Sequence, residues 1–141
     1  MSRKHKRIAA LVEQHHGHEL DRHYVGYFHC FNRQLFYEAH EVLEHIWLKD
    51  KHGPSGAFYK GLIQLAGAFV HLQRNHPGPA AALFKLASAN FERYPGRHEQ
   101  LDLAAVRHLI ATWLDRLQSP GSGENLLTAS NAPQISLMPM T

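Results

Sequence analysis

The stretch Phe36-Tyr37-Glu38-Ala39-His40-Glu41-Val42-Leu43-Glu44-His45-Ile46-Trp47 decides the fold. At about 100° per residue, Leu35, Phe36, Ala39, Val42, Leu43, Ile46 and Trp47 share one face, so the segment reads as an amphipathic helix. His40 and Glu44, one turn apart, lie together on a flank of that face. Glu38, Glu41 and His45 lie farther round. Groups of metal-ligand or acid–base type therefore sit at the edge of a core.

Outward from this helix the pattern stays helical. Residues 3–16 read as a short basic helix closed by His15-His16-Gly17-His18, with Gly17 as its C-cap. From Leu20 to Phe31, Tyr24, Tyr27, Phe28 and Phe31 form an aromatic stripe of core type. The segment Asp50 to Gly56 is a loop, and Ala57 to Asn75 is a helix apolar almost all round. That helix should form the buried centre of a bundle. Lys60, Gln64 and His71 break its apolar surface as one polar stripe with Gly67 in line, where a neighbouring helix could approach closely. Two more helices follow, Ala80 to Tyr94 and Leu101 to Leu117, separated by breakers such as Pro95-Gly96. No strand-like alternation occurs. The expected fold is an all-α bundle of five to six helices around a central antiparallel hairpin. Its parts are a basic helical extension at residues 1–19, the bundle at 20–118, and an extended or disordered tail at 119–141.

Composition narrows the function classes. The chain has 141 residues and a formal net charge of +3, enough for one domain and too little charge to imply a nucleic-acid partner. Arg3 to Arg7 reads as a solvated terminus. Thirteen histidines make the charge strongly pH-dependent where histidine titrates. Cys30 is the sole cysteine, which excludes an internal disulfide and a multi-cysteine zinc site. Among Tyr27, Phe28 and Phe31 it reads as a buried small hydrophobe. No run approaches the ~20 apolar residues of a membrane span. A cytoplasmic protein is expected.

His40-Glu41-Val42-Leu43-Glu44 invites comparison with His-Glu-x-x-His, but Glu44 stands where the second histidine belongs. The di-iron pattern of paired Glu-x-x-His motifs is absent as well. His40 and Glu44 remain a legitimate two-ligand pair that needs a further ligand from another helix. Folding the chain back near residue 52 sets His40 level with Gln64, Glu44 level with Lys60, and His71 near Arg33 to Tyr37. Two readings follow. In one, His40, Glu44, Gln64 and His71 hold a divalent metal, or His40 and Glu44 act as an acid–base couple, with Glu41 or Glu44 as base. In the other, Glu44–Lys60 and His40–Gln64 form a structural polar seam in a non-catalytic, homo-oligomeric interaction domain. No Gly-rich phosphate loop or nucleophile elbow is present, and no organic cofactor is expected.

Phe31-Asn32, the Phe36–Glu44 stretch with Trp47, and Lys60-Gly61-Leu62-Ile63-Gln64-Leu65-Ala66 with His71 resemble one family. It is domain-of-unknown-function family 309, whose members are often labelled predicted metal-dependent hydrolases. The resemblance covers about Tyr24 to Tyr94. It implies a small all-α bundle, and by motif it implicates His40, Glu41, Glu44, Gln64 and His71 in a hydrolase acting on a small-molecule substrate. The family usually has glycine in the turn before its Glu-Ala-His-Glu stretch; this chain has Gln34 there.

Overall fold

A computed structural model describes residues 20–119 and 126–138. The basic helix expected at residues 3–16, with His15, His16 and His18, lies outside them. The described chain forms five helices: α1 (Arg22–Phe31), α2 (Phe36–Asp50), α3 (Gly56–Gln73), α4 (Pro77–Phe91) and α5 (Leu103–Gln118). The all-α expectation holds.

Local chemistry sets where these helices begin and end. Asp21 caps α1 by accepting from the His23 backbone N–H at 2.7 Å. The far end of α1 closes with paired bonds, Leu35 N–H to Cys30 O at 2.9 Å and Gln34 N–H to Phe31 O at 3.0 Å. That closure holds Gln34 at φ 63°, in the left-handed region. Asn75, at φ 56°, ends α3 in the same way. Helix α4 starts at Pro77 rather than Ala80. Proline at the first helical position loses only an N–H that would lack a partner there anyway, so His76-Pro77-Gly78-Pro79 starts the helix as well as breaking the previous one.

Between α4 and α5 the structure corrects the strand-free expectation. Arg97–His98 (β1) and Leu101–Asp102 (β2) pair antiparallel, Arg97 opposite Asp102 and His98 opposite Leu101. Glu99 and Gln100, at φ 50° and 59°, make the two-residue turn. Both are left-handed, the geometry that matches the strands' twist but usually draws Asn-Gly. Two-residue strands carry no period to read. The turn is held from outside, since the Tyr24 hydroxyl donates to Glu99 O at 2.8 Å.

Helix α3 is the centre. Phe58, Leu62, Leu65, Ala66, Ala68 and Phe69 are fully buried, and α2 and α4 pack along its two sides. The Phe69 ring touches Phe31 of α1, Phe36 of α2, Phe84 of α4 and Trp113 of α5, with centroids 5.0–5.6 Å apart. One side chain thus joins four helices to the fifth. Phe91 of α4 packs directly on Gly61, where a Cβ would lie 2.7 Å from a ring carbon. At Gly67, where the close approach was expected, a Cβ would meet only Leu83 Cδ1 at 3.2 Å.

Past α5, residues 126–138 run as an extended strap without helix. Asn32 clasps it: its amide donates to Ile135 O and accepts from Ile135 N–H, both at 2.7 Å. Gln134 donates to Asn32 O at 2.8 Å, and Met138 N–H to Gln100 O at 2.7 Å. No described helix is long and apolar enough to cross a membrane.

Candidate functional site

Helix α3 is buried on every side but one. The exception is the stripe Lys60, Gln64, Gly67, His71 and Arg74, which recurs at alternating steps of four and three and so stays in line along the helix. Because α2 and α4 flank α3, this stripe forms the floor of a trough between them. A pocket of about 330 Å³ opens there, lined by Tyr37 and His40 of α2, by the stripe with Ile63 and Val70, and by Leu83 of α4.

The hairpin brings together residues within a helical turn of the pairs expected from the sequence. His40 and Gln64 line the same pocket, and so do Tyr37 and His71. At the open end of the hairpin, Gln73 Nε2 donates to Gln34 O at 3.0 Å. The side chains then pair differently from a simple seam. Gln64 Oε1 accepts from Asn90 Nδ2 of α4 at 2.7 Å rather than from His40. Lys60 lays its ammonium 4.4 Å from the centroid of the Trp47 ring, and no ion pair joins it to Glu44 among the described residues.

His40 faces two carboxylates. Its Nδ1 lies 3.4 Å from Glu41 Oε1 and its Nε2 3.4 Å from Glu44 Oε2. These are ion-pair separations, longer than good N–H···O bonds, so the ring is guided rather than locked. Glu41 is 8% exposed. The helical-wheel reading set it away from the core. It is buried because α2 is covered by α1 as well as by α3, which widens the enclosed arc beyond the apolar stripe. Glu44 stays more open, and neither glutamate lines the pocket into which His40 projects.

His71 is the other unusual group. Its Nδ1 is buried with no hydrogen-bond partner among the described residues, on a side chain that lines the pocket. A buried polar atom left unpaired costs about 1–3 kcal/mol, and a turn of the His71 ring towards the pocket would let a ligand group complete it.

The residues carried over by resemblance are thus divided. His40, Gln64 and His71 share the pocket; Glu41 and Glu44 stand behind His40. Metal-ligand geometry does not follow. Among the described residues no three or more His, Cys, Asp or Glu side chains gather closely enough to hold an ion. Gln64 is committed to Asn90, and this donor set does not fit a metal centre. Sequence reasoning overlooked Tyr37, Arg74 and Asn90. Arg74 was legible, three residues past His71 on the stripe, and Asn90 stood out as a polar residue at core spacing. Exposed Tyr37 gave no signal before α2 was placed beside α3.

The trough lies within the region shared with other proteins. Residues 24–83 match the family described as "Domain of unknown function (DUF309)". An "Uncharacterized protein" of Aquifex aeolicus (strain VF5) is 29% identical over 79 residues, which cover 56% of this chain and 24% of the relative. The chain therefore spans about a quarter of that relative's length. No solved structure matches. The matched segment runs from the first aromatic of α1 through the first half of α4, and so includes every helix that lines the trough. Over residues 24–83, this chain is similar to the DUF309 family.

Proposed function

We propose that the trough above α3 binds a small polar molecule and that His40 serves there as a general acid–base group. The observation that carries this is the shared pocket: the His40 and His71 side chains line it together, and His71 Nδ1 has no hydrogen-bond partner among the described residues. Glu41 and Glu44, one on each ring nitrogen, orient the imidazole. In a hydrolytic reaction of the type the resemblance implies, the loosely held His40 ring turns one nitrogen from its glutamate to the pocket, takes a proton there from the attacking water and returns it to the leaving group. Tyr37 and Arg74, which line the same pocket, are placed to bind the substrate's polar atoms. No step is routed through a metal, because the donors do not gather. A cytoplasmic setting suits this reading, since the sole cysteine, Cys30, is buried and forms no disulfide among the described residues.

A second reading rests on the Gln64–Asn90 bond, which ties α3 to α4 as a structural polar seam would. On that reading the chain is a non-catalytic, self-associating helical domain.

The test is a panel of chromogenic carboxylic and phosphoric esters, run with EDTA and again with Zn²⁺ or Mn²⁺. Wild type is compared with His40→Ala and Glu44→Gln, and histidine side-chain NMR shifts are followed with each substrate. Turnover in EDTA that drops at least 100-fold in His40→Ala, a loss typical of a missing acid–base group, supports the reading. Turnover equal in all three proteins, or no shift at His40 and His71 with any substrate, refutes it and favours the seam.

A further inference from the structure

Beyond the trough, at the opposite end of the α2–α3 hairpin, lies a second and larger cavity of about 520 Å³. Its walls come from the end of α2 (Trp47), the connecting loop (Lys51, His52, Gly53, Pro54), the first turn of α3 with Lys60, and the end of α4 (Asn90, Arg93, Tyr94). Lys51, Lys60 and Arg93 bring fixed positive charge to it, and no aspartate or glutamate lines it. The carboxylate of this loop, Asp50, is turned against Gly53, where even a Cβ would collide with it.

Two features show that this charge is arranged. Both lysine ammoniums lie over the Trp47 ring, Lys60 at 4.4 Å and Lys51 at 5.9 Å from its centroid. Like charges are thereby held around one indole, an arrangement that an anion between them would relieve. The loop is also fixed in place. The Tyr94 hydroxyl accepts from Phe58 N–H at 3.0 Å and donates to Pro54 O at 2.9 Å, and Ser55 Oγ bonds His98 Nε2 at 2.9 Å. A wall pinned from two other elements needs little reordering to bind.

We infer that this cavity binds a small phosphorylated molecule. Phosphate at neutral pH carries close to two negative charges and three acceptor oxygens, which several converging cations serve better than they serve a monocarboxylate. Arg93 offers the paired donors for two of those oxygens, Lys51 and Lys60 supply point charge, and Trp47 and Tyr94 give apolar walls for the remainder of the ligand. The volume lies within the usual range for small-ligand sites. The inference does not depend on chemistry at His40.

Trp47 makes the test direct. The chain has two tryptophans, and the other, Trp113, is 1% exposed in the core. Full-length protein is titrated at constant ionic strength with inorganic pyrophosphate and phenyl phosphate, and with succinate as a carboxylate control. Binding is followed by tryptophan fluorescence and by calorimetry. The expected result is saturable binding of the phosphate compounds, at least ten-fold tighter than succinate and at least ten-fold weaker in Lys51→Ala/Arg93→Ala. In Trp47→Phe the fluorescence change is lost while calorimetric binding persists. Lys51 and Arg93 lie on the surface and line no part of the His40 trough, so the double variant folds and its effect is separable from that site. Equal binding by wild type and the double variant, no saturable binding, or binding of succinate as tight as of pyrophosphate overturns the inference.

Discussion

Replacing Gln34 by glycine should stabilise this protein. Gln34 closes α1 at φ 63°. A residue with a Cβ in that region costs about 1–2 kcal/mol, and glycine escapes the cost. Glycine gives back about 0.4–1 kcal/mol through the greater freedom of its unfolded chain. No native hydrogen bond is forfeited, because Gln73 Nε2 bonds the Gln34 backbone carbonyl at 3.0 Å, which the substitution leaves in place. The net gain should be about 0.5–1 kcal/mol. With a urea slope of about 2 kcal/mol per molar, the unfolding midpoint rises by roughly 0.3–0.5 M. Urea denaturation of four proteins tests the cause as well as the size. Glycine should be most stable, asparagine next, and alanine close to the wild-type glutamine, since alanine keeps the Cβ. An alanine variant as stable as the glycine one would refute the reasoning, because the gain would then come from removing the glutamine side chain and not from the backbone.

Other outcomes follow from the same geometry. Phe69→Ala removes the ring that meets four helices and should cost about 3–5 kcal/mol, seen as an early denaturation midpoint with Phe69→Leu less affected. Gly67→Ala should do two opposite things: raise stability by up to about 1 kcal/mol through helix propensity, and weaken any ligand of the trough, whose floor it builds up. If it is as good a binder as wild type, the ligand sits elsewhere. Burial, with the nearby His45 and Lys49 charges, holds the His23 pKa below its ordinary value despite Asp21. The unfolded chain then binds the proton first as pH falls, so stability should drop as pH goes below about 6.5. His23→Gln should flatten that slope in denaturation curves at pH 5 and pH 7; an unchanged slope would assign it to other histidines. Asn32→Ala cuts both side-chain bonds to Ile135, and amide exchange near residues 133–137 should speed up while the helices stay protected. Uniform protection loss would mean that the strap and bundle unfold as one unit.

What could be read beforehand followed from period and punctuation. The face carrying Phe36, Ala39, Val42 and Leu43 became the buried face of α2, and the nearly all-apolar α3 became the centre of the bundle. A short loop between them suggested the register, which sets His40 level with Gln64 and His71 near Arg33 to Tyr37. Partner choice was harder. Gln64 found Asn90 on α4 and Lys60 found Trp47, because a third helix and an aromatic face competed with the hairpin partner and a helical wheel shows neither. Glu41 was buried by α1, a neighbour that the α2 pattern does not report. The β1–β2 hairpin escaped because its turn uses Glu99 and Gln100 in conformations that usually announce themselves as asparagine and glycine. The cationic cavity escaped for a related reason: Lys51, Lys60 and Arg93 are far apart in the chain and converge only when α2, α3 and α4 meet.

The Asn32 clasp has a consequence for the order of assembly. Its bonds to Ile135 join positions 103 residues apart. A contact that distant closes a long loop late, after the helices it bridges have found one another. During synthesis α1 can dock on α2 and α3 while the strap is still unmade, which leaves the apolar surface around Leu101, Val106 and Leu109, later closed by Ile135, open to solvent. The newborn protein therefore passes through a stage with a nearly complete bundle and one uncovered flank. For that interval its solubility depends on how soon the segment around Ile135 docks.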